Sequence, residues 1–378
     1  MRIVGIICEY NPLHLGHQKQ MDMIRSLHGP DSAVVCLMSG DFVQRGHPAI
    51  ISKSRRAEAA VRCGADLVLE LPVTAAIASA ERFAAEGVRI LSGFCDELCF
   101  GAETADADAL MNTAKALLSP EFSENLRTEL DKGSSFPVAR AMALEAMGCD
   151  PALVSSPNNI LAVEYCKAIL SQNSPMKAFP VHRQGSYHDT TPDPENPSAT
   201  ALRQRMPQGV WESFVPTAAA DCFRDATVHT LAAGEKAILC KLRTMADAEF
   251  EALPYGSEGL WRKLMHASRS EATLNAVAEA VKSKRYTRTR IDRMILCAFL
   301  GLTAEELSAP APYSRVLAFN DRGRKILKKA RETDHFPNIG ERLDHPFQTI
   351  EDRCDALYGL FASEFPAAPD PKYRIYKA

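Results

Sequence analysis

The sequence predicts a protein of the α/β class with a parallel sheet. Residues 3–8, Ile-Val-Gly-Ile-Ile-Cys, are apolar without polar alternation, as expected for a strand that is buried on both faces. Further strands are predicted at residues 33–38 and 66–71, each after a segment of helical character. Because a right-handed helical crossover joins neighbouring parallel strands, this alternation predicts a Rossmann-like sheet whose strands end at a common edge.

Length and composition indicate a globular protein. The 378 residues leave room for two domains, and 46% hydrophobic with 24% charged residues is ordinary for a folded chain. The formal net charge of -3 gives no overall attraction to nucleic acid, so an RNA partner would need local basic patches.

The 11 cysteines are scattered without a Cys-x-x-Cys pair, which is typical of reduced core residues and does not indicate a zinc site. Neither a signal segment nor an apolar stretch of about 18 residues occurs, so we expect a cytoplasmic protein without membrane association.

The first strand leads through a turn into a helix predicted over residues 15–27. Asn11-Pro12 ends the strand, because Pro12 cannot donate to a ladder and biases Asn11 away from the helical region. A turn of this kind leaves unpaired N–H groups and the positive end of the helix dipole at one point. The turn therefore predicts a phosphate site.

Two histidines lie in the first turn of this helix. His14 and His17 are three residues apart and share a helix face, so both rings can donate to one phosphoryl group. Gly16 lets that group approach the backbone closely. Two histidines at this spacing also occur in metal sites and on exposed helices, and it is the position after a strand that favours a nucleotide.

The string Glu9-Tyr10-Asn11-Pro12-Leu13-His14-Leu15-Gly16-His17 resembles a known signature. Its last four residues are similar to the HIGH motif of the nucleotidyltransferase superfamily, whose members activate substrates by attack on the α-phosphate of ATP. The whole string resembles the tRNA(Met) cytidine acetate ligase family. This resemblance implies that ATP contacts Ile7, Cys8, Glu9, Tyr10, Asn11, Pro12, Leu13, Gly16, Lys19 and Gln20.

A loop over residues 38–49 follows the second strand and should lie at the same edge of the sheet. Its sequence, Met-Ser-Gly-Asp-Phe-Val-Gln-Arg-Gly-His-Pro-Ala, is similar to a string of the same family. Small residues and Arg45 suit a lid or substrate pocket, with Arg45 a candidate RNA contact, although composition fits a surface loop equally well. His47 replaces the usual acidic residue of the family.

Three cations crowd the start of a helix predicted over residues 52–63. Lys53, Arg55 and Arg56 stand at the positive end of its dipole, which is unfavourable unless an anion is near. Phosphate or RNA would supply that anion, and Lys53 is a candidate RNA contact. The alternative is a set of solvated side chains paired with Glu58.

Two later segments are candidates for the nucleoside part of ATP. Gly101 follows a strand predicted at residues 97–100 and permits close approach of adenine. Asn158 and Asn159 precede a helix predicted over residues 160–170, whose N-terminus is a second place for an anion or a ribose. Both segments match strings of the family, which implies ATP contacts at all three residues.

A third segment is a candidate clamp for the phosphates. Arg183 leaves a strand predicted at residues 177–181, and Ser198, Thr200 and Arg203 begin a further helix. Hydroxyls, backbone N–H groups and guanidinium can converge on an oxyanion there, whereas a plain N-capped surface helix is the alternative. In the superfamily, a Ser/Thr-rich turn before Leu-Arg closes over the ATP phosphates.

Near residues 207–216 the predicted pattern changes from alternating strands and helices to mainly helices. We predict a nucleotidyltransferase domain over residues 1–210, with a helical insertion at about residues 105–150, and a mainly α-helical, tRNA-binding domain over residues 211–378. The strongest basic cluster supplies its candidate RNA contacts, Lys284, Arg285, Tyr286, Arg288 and Arg290. A solvated helix face is the alternative, and residues 322–329 form a second patch with the same two interpretations.

The resemblance implies an ATP-dependent ligase. The enzyme would activate acetate as acetyl-AMP, release pyrophosphate, and pass the acetyl group to N4 of the wobble cytidine of elongator tRNA(Met). His14, His17 and Arg203 would be catalytic, and Arg183 would add fixed positive charge. Magnesium is expected with the triphosphate, but no carboxylate cluster marks protein ligands for it. Acetate and tRNA are the expected partners, and no stable protein partner is evident.

Two other functions remain open from the residues. An adenylyltransferase of the HIGH type acting on a small phosphorylated metabolite would use the same ATP site, but would not need basic C-terminal helices. A non-catalytic, nucleotide-dependent RNA-binding protein is the second alternative. Acetate-dependent exchange of pyrophosphate into ATP separates these functions.

Overall fold

The computed structural model describes residues 1–183, 197–331, 339–340, 345–363 and 375–378. Its strands are β1 Ile3–Cys8, β2 Ala33–Ser39, β3 Phe42–Val43, β4 His47–Pro48, β5 Leu67–Leu71, β6 Glu97–Ala102, β7 Lys177–His182, β8 Ser314–Phe319, β9 Ile339–Gly340 and β10 Tyr376–Lys377.

The helices surround the sheet and continue beyond it. They are α1 Leu15–His28, α2 Lys53–Arg62, α3 Val73–Ala76, α4 Ala80–Leu91, α5 Ala107–Leu118, α6 Pro120–Asp131, α7 Phe136–Ala146, α8 Pro157–Ser171, α9 Ala199–Arg205, α10 Thr217–Phe223, α11 Leu231–Thr244, α12 Asp247–Glu251, α13 Leu260–Ser270, α14 Leu274–Val281, α15 Arg288–Leu300, α16 Ala304–Ser308, α17 Asp321–Arg331 and α18 Pro346–Tyr358. No helix in the described part of the chain is long and apolar enough to cross a bilayer.

The main sheet has the strand order β10-β8-β5-β2-β1-β6-β7, with β9 beside β8. Strands β5, β2, β1, β6 and β7 run parallel to one another, so their carboxyl ends meet at one edge. The β1–β2 register runs from Ile3 opposite Ala33 to Cys8 opposite Met38, which places the loops after both strands side by side. The predicted α/β class and parallel sheet are confirmed.

Both faces of the sheet are covered, as the apolar strands predict. Ile3 and Ile7 of β1 face a core that α4, α5, α8 and α17 complete, whereas Val4, Ile6 and Cys8 face α1, α2, α9 and α10. Alternate residues of one strand thus enter two separate cores. This burial explains why β1 shows no polar alternation.

The region after residue 211 is mainly helical, but it also contributes to the sheet. Helices α11–α15 and α18 supply most of a third core, whereas β8 pairs antiparallel with β5 and β10 extends the sheet beyond β8. Strands β8 and β10 are thus additions to the mainly α-helical region that the sequence predicts. The division at residues 207–216 stays a prediction, and β8 shows that the chain returns to the first half after that point.

A buried cluster of charges joins the C-terminal region to the sheet. Lys53 is 4% exposed, and its Nζ lies 2.9 Å from Glu70 Oε1 and also contacts Asp355. Arg315 of β8 contacts Glu70, Asp355 and, at 3.5 Å, Glu351. Burial alone would raise the pKa of Glu70, but Arg315 and Lys53 outweigh it and lower this pKa to about 2.

This cluster corrects the interpretation of Lys53 as an RNA contact. The side chain is closed off from a surface ligand, and the anion that it needs is supplied by carboxylates of β5 and α18. Burial alone would lower the pKa of Lys53, but Asp355 and Glu70 raise it, so the ammonium group is held charged.

Arg56 of α2 is fully buried and binds only main-chain carbonyls. Its guanidinium donates to the carbonyl oxygens of Glu9 at 2.5 Å, Ser39 at 3.1 Å and Ile51 at 2.7 Å, and to that of Gly40. These carbonyls follow β1, end β2, or begin the approach to α2. Arg56 therefore fixes the two loops at the carboxyl edge relative to each other, and it is not a site for phosphate or RNA.

The loop over residues 38–49 packs directly on α15. Gly46, at the turn between β3 and β4, has a φ of 79°, and a Cβ there would lie 2.6 Å from the backbone nitrogen of Arg293. Only a glycine fits, because the obstacle is helix backbone and cannot move aside.

We expect Gly46→Ala to lower the free energy of unfolding by about 3 kcal/mol, from left-handed backbone strain and the clash with α15. Gly64→Ala is the matched control, because Gly64 has a φ of 113° but open space around its Cβ. That control should cost only about 1 kcal/mol. Urea unfolding measures both values, and equal losses would contradict the close packing of this loop on α15.

Candidate active site

A cavity of about 600 Å³ opens at the carboxyl ends of β1, β6 and β7. The N-terminus of α1, the loop over residues 38–49, and parts of α8 and α9 complete its wall. The predicted site residues that line it are Ile7, Cys8, Glu9, Tyr10, Asn11, His14, Gly16, His17, Lys19, Gln20, Arg45, Gly101, Asn158, Arg183, Ser198, Thr200 and Arg203.

Three predicted ATP contacts do not line this cavity. Pro12 and Leu13 are buried, and Leu13 packs in the core beneath α1. Asn159 is 3% exposed, and its side chain exchanges hydrogen bonds with Thr104. These three residues therefore support the residues that line the cavity but do not line it themselves.

His14 and His17 are held by the backbone of their own helix turn. Nδ1 of His14 accepts the N–H of Gly16 at 3.1 Å, and Nδ1 of His17 accepts the N–H of His14 at 3.2 Å. The rings stack with centroids 3.7 Å apart. His14 thus caps α1, and Nε2 is the remaining ring nitrogen of each imidazole.

Both imidazoles are neutral in this state. Burial lowers the pKa of His14 well below its usual range, with His17, Arg183 and Arg203 adding to the shift. Burial, and secondarily Arg183, lowers the pKa of His17 to about 3. A neutral ring whose Nδ1 accepts a hydrogen bond must carry its proton on Nε2. Nε2 of His14 is buried and has no hydrogen-bond partner among the residues that the structure describes, so it can donate to an anionic ligand.

Arg203 stands across from these donors. Its guanidinium donates to the carbonyl oxygen of Asn11 at 2.9 Å and to Oγ1 of Thr200 at 3.0 Å. Oγ of Ser198 accepts the N–H of Ala201 and so caps α9, which is the alternative that the sequence left open beside a phosphate clamp. Burial lowers the pKa of Arg203, but a guanidinium stays charged and brings fixed positive charge to the cavity.

Arg183 and Asn158 form a second polar wall. Arg183 Nη1 donates to Asn158 Oδ1 at 2.8 Å, and Asn158 Nδ2 donates to Glu103 at 2.6 Å. Glu103 also accepts from Ser156 and from the backbone N–H of Asn159. The N-terminus of α8 is thus filled by a carboxylate of this chain, which corrects its interpretation as a second anion site.

Hydrogen bonds join the two loops of the cavity. Glu9 Oε1 accepts the N–H of Gln44 at 3.0 Å, and Asn11 Oδ1 accepts the N–H of Ile50 at 2.8 Å. These side chains therefore hold the loop over residues 38–49 against the turn after β1.

Several lining residues lie outside the predicted set. They include Gln44, His47, Phe83, Phe100, Tyr165 and His182. Gln44 and His47 belong to the loop whose string resembles the family, and that string is the signal that could have found them. Phe83 and Tyr165 have the spacing of ordinary core residues, so the sequence offers no sign of their position.

The basic cluster of α15 and the preceding turn is only partly free for RNA. Tyr286 is 4% exposed and donates its hydroxyl to the carbonyl of Glu258, so its predicted stacking on a base is wrong. Arg288 binds Asp292 and Glu279, and Arg290 binds the carbonyl of Tyr255.

Lys284 and Arg285 keep exposed side chains. Arg285 forms a surface pair with Glu258 at 2.8 Å, an interaction that costs little to exchange for a phosphate.

The described lining residues of the cavity do not form a set of magnesium ligands. Glu9 is the one carboxylate residue among its described lining side chains, and one of its oxygens already accepts from Gln44. The acidic group Glu70, Glu351 and Asp355 is already paired with Lys53 and Arg315. Magnesium would thus enter with the oxygens of the triphosphate, and it stays a prediction.

Residues 1–365 match the HIGH Nucleotidyl Transferase family. The chain belongs to this family. The match spans the nucleotide cavity as well as most of the C-terminal helices, and it explains the strand, turn and capped helix that present His14 and His17.

Relatives and solved structures agree with this assignment. A tRNA(Met) cytidine acetate ligase of Clostridium novyi is 36% identical over 357 residues, which cover 89% of both chains. One from Acetivibrio thermocellus is 33% identical, covering 90% of this chain and 88% of the relative. The crystal structure of Thermotoga maritima TmcAL in its apo form matches all of both chains with a TM-score of 0.90 at 29% identity. The same protein bound to α-thio ATP matches with a TM-score of 0.86. The predicted family resemblance is confirmed.

The lowered pKa of His17 predicts a loss of stability in acid. In the unfolded chain this histidine has an ordinary pKa of ~6.5, whereas in the folded chain its pKa is about 3. Between these two pH values the unfolded chain therefore binds more protons than the folded chain. The contribution is fully present above pH ~6.5 and falls below it, by up to about 1.4 kcal/mol per pH unit. Urea unfolding at pH 7, 6 and 5 should therefore show a steeper loss for the wild type than for His17→Asn.

His266→Asn is the control, because His266 lies exposed on α13. We expect this variant to follow the wild-type pH dependence. Parallel curves for the wild type and His17→Asn would contradict a buried, neutral His17.

Proposed function

We propose that this protein is an ATP-dependent ligase that activates acetate as acetyl-adenylate and transfers the acetyl group to N4 of a tRNA cytidine. The acceptor is the wobble cytidine of elongator tRNA(Met), in line with the name tRNA(Met) cytidine acetate ligase that the relatives carry. The observation that carries this proposal is the pair of neutral imidazoles, each with Nε2–H available, at the N-terminus of α1. ATP is the nucleotide, as α-thio ATP is the ligand of the similar T. maritima protein.

In the first step, an acetate oxygen attacks the α-phosphorus of ATP. The new O–P bond gives acetyl-AMP, and the bond to the bridging oxygen breaks so that pyrophosphate leaves with the electron pair. His14 and His17 would donate to the phosphoryl oxygens on which negative charge grows, and the positive end of the α1 dipole would add to this stabilisation. Arg203 and Arg183 would hold the phosphate groups in line by fixed charge, and no protein nucleophile is needed.

In the second step, N4 of the cytidine attacks the acetyl carbonyl carbon. An N–C bond forms, the C–O bond to AMP breaks, and AMP leaves as a phosphate anion that the same donors stabilise. One proton must leave N4. The loop over residues 38–49 lines the cavity and packs on α15, and the turn before α15 carries the exposed Lys284 and Arg285, so a tRNA held by these cations would lie beside this loop.

A cytoplasmic setting and a tRNA partner are part of this proposal. All 11 cysteines are free thiols, which fits a reducing compartment. The small net charge of -3 leaves tRNA binding to local patches, of which the cluster before α15 is the candidate.

Acetate-dependent exchange of labelled pyrophosphate into ATP tests the first step. We expect exchange in the wild type, and a loss of at least ~100-fold in His17→Ala, because one donor to the reacting phosphate is removed. His266→Ala, on the exposed face of α13, should exchange like the wild type. Wild-type protein that exchanges without acetate, or forms no acetylated tRNA, would contradict the proposed ligase and favour an adenylyltransferase or an RNA-binding protein.

Charge reversal tests the tRNA patch. The variant Lys284→Glu/Arg285→Glu should bind tRNA at least ~10-fold more weakly and show a salt dependence reduced by about one or two phosphate contacts, with ATP binding unchanged. The matched control Lys115→Glu/Arg127→Glu reverses exposed cations of α5 and α6. Equal tRNA binding by the wild type and the first variant would exclude this patch, and a parallel loss of ATP binding would make it structural.

A further inference from the structure

The loop over residues 38–49 brings a histidine to the cavity from the side of α15. His47 begins β4 and lines the cavity, with its side chain 40% exposed. The neighbouring Gly46 packs against the backbone of Asp292 and Arg293, so this loop cannot move far from α15. His47 therefore stands in a fixed place between the nucleotide cavity and the helix that follows the basic cluster.

A buried carboxylate faces this imidazole. Nε2 of His47 is buried, makes no hydrogen bond with the described residues, and lies 3.4 Å from Oδ2 of Asp292. Asp292 is 8% exposed, and its other oxygen accepts Nε of Arg288 at 2.8 Å, which holds the carboxylate in place. This contact is an electrostatic one, in which the carboxylate favours the proton of the neutral imidazole on Nε2, so that Nδ1 is the acceptor nitrogen.

In the described part of the cavity, both histidines of the α1 turn and the carboxylate of Glu9 already accept hydrogen bonds. Nδ1 of both His14 and His17 accepts a backbone N–H, and their Nε2 atoms serve as donors to phosphate. Glu9 accepts the N–H of Gln44. Among the described imidazoles of the cavity this leaves His47 and His182, and His182 lies at the end of β7, away from α15.

We propose that His47 accepts the proton of the attacking cytidine amine during acetyl transfer, and that Asp292 positions it. This assignment rests on the proposed function. As the N4–carbon bond forms and AMP leaves with the electrons of the broken C–O bond, one N4 proton passes to Nδ1 of His47. The imidazolium is then stabilised by Asp292 and returns its proton to solvent.

Separate measurement of the two steps tests this role. The first is acetate-dependent pyrophosphate exchange, and the second is transfer of labelled acetyl from enzyme preloaded with acetate and ATP to tRNA(Met). His47→Gln should keep exchange within about twofold and lose acetyl transfer by about 100-fold, the usual contribution of a general base. His47→Glu should recover at least about tenfold of this loss, because a carboxylate can also accept the proton.

The positioning role of Asp292 has its own readout. Asp292→Asn should slow transfer by about tenfold without changing exchange, and the double variant with His47→Gln should be no slower than His47→Gln alone. A variant that only disturbed packing would add its loss to that of His47→Gln. His266→Gln, far from the cavity on the exposed face of α13, should leave both steps unchanged.

Four results would overturn the assignment. Transfer by His47→Gln at the wild-type rate would exclude the residue, as would a loss of exchange as large as the loss of transfer. A large transfer defect in His182→Gln, with His47→Gln unaffected, would assign the role of proton acceptor to His182 instead. An absence of acetate-dependent exchange in the wild type would remove the proposed function, and this result is distinct because it appears before any variant is compared.

Discussion

The guanidinium of Arg56 is the interaction on which the site depends. It is fully buried and holds four carbonyl oxygens, those of Glu9, Ser39, Gly40 and Ile51. A charge in the interior is costly unless every donor is paired, and these carbonyls supply the partners. The arrangement forces the chain after β1 and the chain after β2 to lie together at the carboxyl edge of the sheet. One side chain therefore fixes the two loops that follow β1 and β2 at the cavity.

On this frame the first turn of α1 becomes an anion site. His14 and His17 use Nδ1 to satisfy backbone N–H groups at the start of the helix, and this leaves Nε2–H for a ligand. Burial keeps the imidazoles neutral, so the site before binding is not a cluster of four cations with Arg183 and Arg203. Such a cluster would repel itself in a space of low dielectric constant. A triphosphate brings the charge that the donors and guanidinium groups require.

The sequence predicts the local parts of this structure and misses the parts that depend on distant chain. β1, the turn at Pro12 and the start of α1 follow from short-range signals. Ser198 caps α9, which the sequence offered only as the alternative to a phosphate clamp. The strand β8 was not predicted, because it is defined by antiparallel pairing with β5, far earlier in the chain.

Lys53 and Tyr286 show the same limit for the site. A cation at a helix start does indicate an anion, but sequence cannot tell phosphate from the carboxylates of Glu70 and Asp355. An aromatic residue among cations suggests stacking on a base, yet the ring of Tyr286 is buried and its hydroxyl donates to the carbonyl of Glu258.

The site depends on His14 and His17 being neutral donors through Nε2. Nitrogen-15 NMR of labelled histidines at pH 7 measures this directly: we expect both rings as the Nε2–H tautomer before ATP is added, with both Nε2–H signals shifting on ATP binding. Imidazolium signals or an Nδ1–H tautomer in the ligand-free protein would contradict neutral His14 and His17 with the proton on Nε2.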